Sequence, residues 1–116
     1  MSPGAIRVEQ VAPVAVVALA GEHDSYSAAR LEAALIPLAA AGPVVVDLSA
    51  ATFIDSATVS VLLKALRVTD EHGLVLVLDD ESGAHVRRLL ELTRLDSVFD
   101  LRDSRDAALD ALQHAA

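Results

Sequence analysis

The sequence contains no cysteine, few aromatic residues and few basic residues. Without cysteine, the chain can have no disulfide, thiolate metal site or cysteine nucleophile. Its three aromatic side chains, Tyr26, Phe53 and Phe99, are too few for the stacking platforms of single-strand binders. Nine basic residues against seventeen acidic ones give a formal charge of −8, so no cluster of lysine and arginine is available for phosphate contacts. We therefore expect no binding to nucleic acid.

Long hydrophobic runs are also missing. The best candidate, residues 14–20, has the length of a strand, whereas a membrane-spanning helix needs about 20 apolar residues. The first ten residues show no charged segment leading into an apolar stretch, which a signal peptide would have. A length of 116 residues suits one domain with one core. We predict a single domain over residues 1–116, cytoplasmic and without direct membrane insertion.

Motifs for catalysis or metal binding are scarce. The histidines lie far apart and have no partners at ligand spacing, so we expect no metal site and mostly surface histidines, at positions His23, His72, His85 and His114. The glycines are scattered and form no phosphate-binding loop, and no serine lies in a Gly-x-Ser-x-Gly motif. The acidic residues 79–81 could hold Mg²⁺, but a solvated turn that caps the next helix is favoured. We expect no cofactor, and a small enzyme using Asp55 or Asp79 is the catalytic alternative.

Hydrophobic periodicity predicts the element order β-β-α-β-α-β-α-(β)-α. The predicted strands are residues 6–11, 14–20, 44–48, 74–78 and 98–101, with a break at Ala12-Pro13 that makes the first two a hairpin. The predicted helices are residues 25–41, residues 56–72, a third that ends near Glu91 and a last one capped by Ser104. Strands separated by helices pair in parallel through right-handed crossovers. The predicted fold is α/β, with a mixed central sheet, parallel core strands and about four helices.

Local signals predict where the elements begin and end. Gly21 should end the second strand, and Asp24, Ser25 and Ser27 are all candidate caps of the first helix. Pro37 should kink that helix or end it early, and residues 49–55 should form a loop. Asp80 or Ser82 should cap the third helix, and Leu109 and Leu112 of the last helix should point inward. The predicted core stripe of the second helix includes Val59, and the main predicted core residues are Val45, Leu48, Leu62, Leu63, Leu66, Val75 and Val77.

Ser56 is the most informative polar residue of the sequence. The strand before it leads to the carboxyl edge of a parallel sheet, where open α/β sheets bind their ligands. Ser56 lies at or next to the N-cap of an amphipathic helix, close to free backbone N–H groups and the positive end of the helix dipole. On this local pattern alone, a plain helix cap is favoured over a functional serine.

Residues 21–24 and 53–58, at the starts of the first two predicted helices, carry motifs through which the chain resembles the STAS domain, a family named for sulphate transporters and anti-sigma factor antagonists. The family's Gly-Glu-Leu-Asp before the first helix corresponds to residues 21–24, Gly-Glu-His-Asp. Its Asp-Leu-Ser after the central strand corresponds to Asp47, Leu48 and Ser49. The segment that opens its second helix is similar to residues 53–58, and residues 86–99 resemble its third helix and last strand. Four matches in the right order cover nearly the whole chain.

The resemblance implies a non-enzymatic module that binds an anti-sigma factor, which is also an ATP-dependent serine kinase. The kinase phosphorylates the serine that corresponds to Ser56, the phosphorylated form releases the kinase, and a phosphatase resets the switch. ATP and Mg²⁺ would then belong to the partner. The implied partner-binding residues are Asp24, Ser25, Asp55, Ser56, Ala57, Thr58 and Ser60. The alternative within the family is a subunit of a stress-sensing assembly or of a lipid-transport ATPase complex.

Two positions depart from the family pattern. Thr58 stands where the family usually has glycine, and His23 stands where it has an apolar residue. We predict that the β-branched side chain of Thr58 narrows the access to Ser56 or reshapes the docking surface. Its hydroxyl is also a second candidate acceptor of phosphate.

Overall fold

The computed structural model describes residues 4–79 and 84–113. The strands are β1 (Ala5–Val11), β2 (Val14–His23), β3 (Val44–Ile54), β4 (Leu74–Val77) and β5 (Asp100–Arg102). The helices are α1 (Ser25–Ala41), α2 (Ser56–Thr69), α3 (Ala84–Leu92) and α4 (Arg105–Gln113), and a 3₁₀ turn covers Leu95–Ser97. The strand order is β1-β2-β3-β4-β5, with β1 antiparallel to β2 and every later neighbour pair parallel. The predicted α/β fold with a mixed sheet is confirmed.

Helices cover both faces of the sheet. α1, α2 and α3 pack on the first face, where Leu35, Leu62 and Leu90 are fully buried. α4 covers part of the second face and buries Ala108 against Val45. Since β4 is buried on both sides, it is apolar at every position.

The predicted core is confirmed at five positions and lies slightly differently on α2. Val45, Leu48, Leu62, Val75 and Val77 are buried. Two predicted members of the stripe, Leu63 and Leu66, lie at its margin and are only partly buried. Compared with the predicted stripe, the buried stripe of α2 is rotated toward smaller residues. Its buried positions are Thr58, Val59, Val61, Leu62, Ala65 and Thr69.

β2 and β3 are both longer than predicted. Gly21 does not end β2 but lies inside it, with a φ of 78° that suits glycine, next to shifts in the pairing with β3. The predicted loop 49–55 is strand as far as Ile54, because its backbone pairs with residues 20–23 of β2. The register shifts interrupt the alternation of apolar side chains, so the pattern predicted a loop where the backbone forms a ladder.

α1 has its predicted bounds, residues 25–41, without the early end considered at Pro37, whereas α2 ends earlier than predicted. α1 continues past the exposed Pro37 to Ala41, and Leu35 and Ala39 are buried on either side of the proline. Packing of this face outweighs the loss of one helical hydrogen bond. α2 ends at Thr69 instead of residue 72, because Asp70 has a positive φ of 49° that leaves the helix.

The C-terminal part follows the prediction closely. The Ser104 hydroxyl oxygen accepts a hydrogen bond from the Ala107 N–H at 3.1 Å, so Ser104 caps α4 as predicted. Leu109 and Leu112 pack against the second face of the sheet. β5 begins at Asp100 rather than residue 98, because Val98 and Phe99 donate backbone hydrogen bonds to Leu95 at the end of the 3₁₀ turn.

The predicted caps of α3, Asp80 and Ser82, lie outside the described residues. Within residues 4–79 and 84–113, no helix has both the length and the apolar character needed to cross a membrane.

Candidate functional site

The carboxyl ends of β2 and β3 lie side by side, and α1 and α2 begin there. His23 is in register with Ile54 across the two strands. The carbonyl oxygen of His23 accepts hydrogen bonds from the Asp55 N–H at 3.2 Å and from the Thr58 hydroxyl at 3.1 Å. These bonds join the N-terminus of α2 to the strand that leads into α1. The two helix N-termini therefore form one surface at this edge of the sheet.

Each of the two helices is capped by an aspartate. Oδ1 of Asp24 accepts hydrogen bonds from the backbone N–H of Tyr26 at 3.0 Å and of Ser27 at 3.3 Å. Oδ1 of Asp55 accepts from the backbone N–H of Thr58 at 3.0 Å. Both carboxylates thus satisfy free N–H groups and lie at the positive ends of helix dipoles. Among the three predicted caps of α1, Asp24 is the one observed.

Ser56 is the first residue of α2 and is exposed to solvent. Its carbonyl oxygen accepts a hydrogen bond from the Ser60 hydroxyl at 2.9 Å. Among the described residues, none makes a hydrogen bond with the Ser56 hydroxyl itself. The interpretation of Ser56 as a plain helix cap is therefore wrong, because Asp55 performs that role and leaves the serine hydroxyl open to solvent.

The prediction that Thr58 narrows the access to Ser56 is wrong, because Thr58 points into the protein. Its exposed fraction is 0%, and its hydroxyl donates toward the His23 carbonyl and the Asp55 carboxylate inside the protein. A side chain in this place cannot narrow the access to Ser56. It also offers no surface to a partner and no accessible hydroxyl to a kinase. Thr58 is therefore a structural link between the two helix starts.

His23 is buried, so the expectation of a surface histidine is wrong at this position. Its Nε2 lies 3.0 Å from the carbonyl oxygen of Ala20 and its Nδ1 lies 3.2 Å from the hydroxyl of Ser27. Because a carbonyl can only accept, Nε2 carries a hydrogen atom in this arrangement. Of the other histidines, His72 and His85 are exposed, and His114 lies outside the described residues.

The structure brings the other predicted partner-binding residues to the same edge. Four of them are exposed and two are partly buried; in order they are Asp24, Ser25, Ser56, Ser60, Asp55 and Ala57. Sequence reasoning placed the segment 22–27 in the partner surface but did not single out its exposed Tyr26. It also missed the stack of Phe53 on His85, whose ring centroids are 5.1 Å apart. The available signal was a tyrosine within a polar segment of a chain that has very few aromatic residues.

The role of Asp24 as a cap leads to a stability prediction. From the sequence alone, charge reversal at this position should weaken partner binding and leave stability nearly intact, because exposed substitutions usually cost little. In the structure the same change would also remove the helix cap. We expect Asp24→Ala to lower the free energy of unfolding by about 1 kcal/mol. Asp24→Asn keeps a capping oxygen and should cost less than about 0.5 kcal/mol. Urea denaturation of both variants measures the difference, and equal stability of Asp24→Ala and wild type would contradict the capping role.

A groove of about 520 Å³ lies on the second face of the sheet, opposite α1 and α2. Three of its four charged groups pair with one another: Arg105 contacts the carboxylates of Asp47 at 3.0 Å and Glu9 at 3.1 Å. Asp47 also accepts a hydrogen bond from the Ser49 N–H at 2.9 Å. The Asp47 of the sequence motif therefore ties α4 to the sheet. Within residues 4–79 and 84–113, no three metal-ligating side chains converge.

Comparison with known proteins agrees with this architecture. A family model described as "Mlab, STAS domain" matches residues 6–103. The solved anti-sigma factor antagonist from Mycobacterium paratuberculosis is 32% identical, with a TM-score of 0.84 over 96% of this chain and 95% of that one. A putative antagonist from Thermotoga maritima is 21% identical, with a TM-score of 0.80 over 94% and 95% of the two chains.

The phosphorylated form of the Bacillus cell fate determinant SpoIIAA has the same fold. It is 19% identical, with a TM-score of 0.69 over 92% of this chain and 98% of that one. At identities of 19% and 21%, SpoIIAA and the Thermotoga protein show only that the fold is shared. The family match, in contrast, includes every strand and the first three helices. The extent of that match, together with the more similar mycobacterial structure, shows that this chain belongs to the STAS domain family.

Proposed function

We propose that this protein is a cytoplasmic anti-sigma factor antagonist whose binding to an anti-sigma factor serine kinase is switched by phosphorylation of Ser56. The observation that carries the proposal is the exposed Ser56 hydroxyl, which the helix cap at Asp55 leaves unused. The antagonist from Mycobacterium paratuberculosis, at 32% identity over nearly the whole chain, supports the class. An anti-sigma factor held by the unmodified antagonist would leave its sigma factor free, so the switch would regulate transcription that depends on this sigma factor.

Phosphate at Ser56 should change the surface and leave the fold intact. It adds about −1.5 to −2 charges, which the N-terminus of α2 tolerates through a dipole interaction of about 0.3–1 kcal/mol. No buried contact is lost, because the side chain is exposed. In a kinase complex, the group that faces the acceptor serine is the terminal phosphate of the nucleotide. After transfer, the phosphate on Ser56 and the remaining phosphates of the ADP product would repel each other, and this favours release of the partner.

The kinase would supply ATP and Mg²⁺, and a separate phosphatase would reset the switch. The proposed contact surface consists of Asp24, Ser25, Asp55, Ser56, Ala57 and Ser60. Thr58 is removed from the set because it is buried. The carboxylate of Asp55 is engaged as a helix cap, which argues against its use as a catalytic group.

Phosphate transfer to purified variants tests the proposal. A purified anti-sigma factor kinase from the same organism, with ATP and Mg²⁺, should phosphorylate wild type, whereas Ser56→Ala should show at least a hundredfold lower rate by intact-mass spectrometry. Ser60→Ala is the matched control, because Ser60 is an exposed serine one turn along the same helix. Phosphorylation of Ser56→Ala at the wild-type rate would contradict the proposal.

The stability of Ser56→Ala gives an independent check. We now expect its free energy of unfolding to lie within about 0.5 kcal/mol of wild type, instead of the loss of about 1 kcal/mol that a missing cap would cause. Alanine is also a good helix former at an exposed position.

A second candidate function is a STAS subunit of a stress-sensing assembly or of a lipid-transport ATPase complex. The matching family model supports keeping it, because its description names Mlab rather than an antagonist. In that case the protein should purify from its own cells in a stable complex, and Ser56 should carry no phosphate under any growth condition. Mass spectrometry of the native protein separates the two candidates.

A further inference from the structure

We propose that Tyr26 anchors the partner interface around Ser56, by inserting its ring into an apolar pocket of the partner that is rimmed by basic side chains. The inference rests on the proposed function for the identity of the partner, an anti-sigma factor kinase. Tyr26 is 86% exposed, well above any other large hydrophobic side chain among the described residues. An exposed ring of this size costs free energy of hydration in the unbound protein, and a partner pocket would recover it.

The backbone holds Tyr26 in place while its side chain remains free. Its N–H donates to the capping carboxylate of Asp24 at 3.0 Å, in the first turn of α1. Among the described residues, none makes a hydrogen bond with its hydroxyl. Tyrosine has only two side-chain torsions, so it can bury a large area with little loss of conformational entropy. Side chains of this type dominate the binding energy of protein interfaces.

The distribution of the aromatic residues also points to this edge. The chain has three of them, and Phe99 is buried in the core. The other two, Tyr26 and Phe53, both lie where β2 and β3 end. Phe53 precedes Ser56 by three residues and stacks on the exposed His85. A protein with so few aromatic side chains thus places one exposed ring and one partly buried ring beside the candidate switch.

The charges near Tyr26 define the chemistry of the partner. Glu22, Asp24 and Asp55 lie at this edge, and the sequence has no lysine or arginine between residues 31 and 63. Two basic side chains reach the same edge, and both donate to backbone carbonyls: Arg30 to Gly4 at 2.9 Å and Arg87 to Leu78 at 2.8 Å. This part of the surface is therefore acidic around an exposed ring. A complementary partner has an apolar pocket with lysine or arginine at its rim.

Calorimetric titration into the purified kinase in its ADP form tests the inference. We expect Tyr26→Ala to weaken binding at least tenfold, while Tyr26→Phe, which keeps the ring, stays within about threefold of wild type. Leu92→Ala is the matched control, because Leu92 is an apolar residue with 69% exposure at the C-terminal end of α3. It should bind like wild type. All variants should keep the urea midpoint of wild type, since both positions are exposed.

The outcomes distinguish the anchor from the switch. If Tyr26→Ala binds like wild type while Ser56→Asp binds poorly, the anchor is wrong and the proposed function survives. If Tyr26→Ala binds poorly while phosphorylation of Ser56 has no effect, the anchor is supported and the switch fails. If wild type is a dimer in sedimentation experiments and Tyr26→Ala is a monomer that still binds the kinase normally, the ring packs on a second copy and the anchor is overturned. Failure of wild type itself to bind the kinase would overturn the proposed function and, with it, this partner for Tyr26.

Discussion

Phosphorylation of Ser56 is expected to weaken binding to the anti-sigma factor kinase by at least a hundredfold. Ser56 is exposed at the start of α2, so its phosphate would lie directly in the proposed interface. The phosphate on Ser56 would face the phosphates of the nucleotide bound to the kinase, and like charges placed together in an interface cost several kcal/mol. About 1.4 kcal/mol corresponds to tenfold in affinity. The fold should tolerate the phosphate, because the caps at Asp24 and Asp55 do not involve the Ser56 hydroxyl. Phosphorylation should therefore lower the affinity for the kinase and leave the melting temperature of the protein nearly unchanged.

Variants at Ser56 separate charge from the loss of the hydroxyl. Ser56→Asp should bind more weakly than wild type, but with a partial effect, because it has one charge and fewer acceptor oxygens than phosphate. Ser56→Ala should remain bound in the presence of ATP, since it accepts no phosphate. Ser97→Asp, at an exposed serine of the 3₁₀ turn outside the proposed contact surface, controls for a general effect of negative charge. Binding of the phosphorylated protein at wild-type affinity would contradict the switch.

Replacing Thr58 by glycine is expected to lower the free energy of unfolding by about 2–4 kcal/mol. The change removes a buried hydroxyl that donates to the His23 carbonyl and the Asp55 carboxylate, at about 1 kcal/mol for a lost hydrogen bond. It also removes a buried methyl group, worth about 0.8 kcal/mol. Glycine costs about 1 kcal/mol more in a helix. The sum exceeds the 0.5–1 kcal/mol that an exposed helical position would predict.

Two conservative variants apportion this loss. Thr58→Ser keeps the hydroxyl and should lose about 1 kcal/mol, whereas Thr58→Val keeps the shape and should lose about 1–2 kcal/mol because the link to His23 is broken. Urea denaturation measures all three. We expect no faster phosphorylation of Ser56 in any folded variant, because Thr58 does not cover it. A stable Thr58→Gly protein that is phosphorylated faster would restore the steric hypothesis and contradict this structure.

The sequence by itself determined the features of the fold that depend on the regular spacing of apolar and polar residues. The apolar segments 44–46 and 74–77 predicted strands buried on both faces, and that property is a consequence of composition alone. Helix spacing placed Leu62 in the core, and the Ser104 cap followed from a short-range hydrogen bond that sequence can specify. The motifs around residues 21–24 and 53–58 indicated the family, which the match over residues 6–103 confirms.

Only the tertiary structure decided which polar residues are free and which are engaged. Asp55, Ser56 and Thr58 are three adjacent or nearly adjacent polar residues, all of a type that can cap a helix. Their roles differ because β2 ends beside β3. The Thr58 hydroxyl donates to the His23 carbonyl, and the Asp55 carboxylate caps α2. Ser56 is then left pointing to solvent. Contacts between segments that are far apart in sequence set this division, and local patterns carry no information about them.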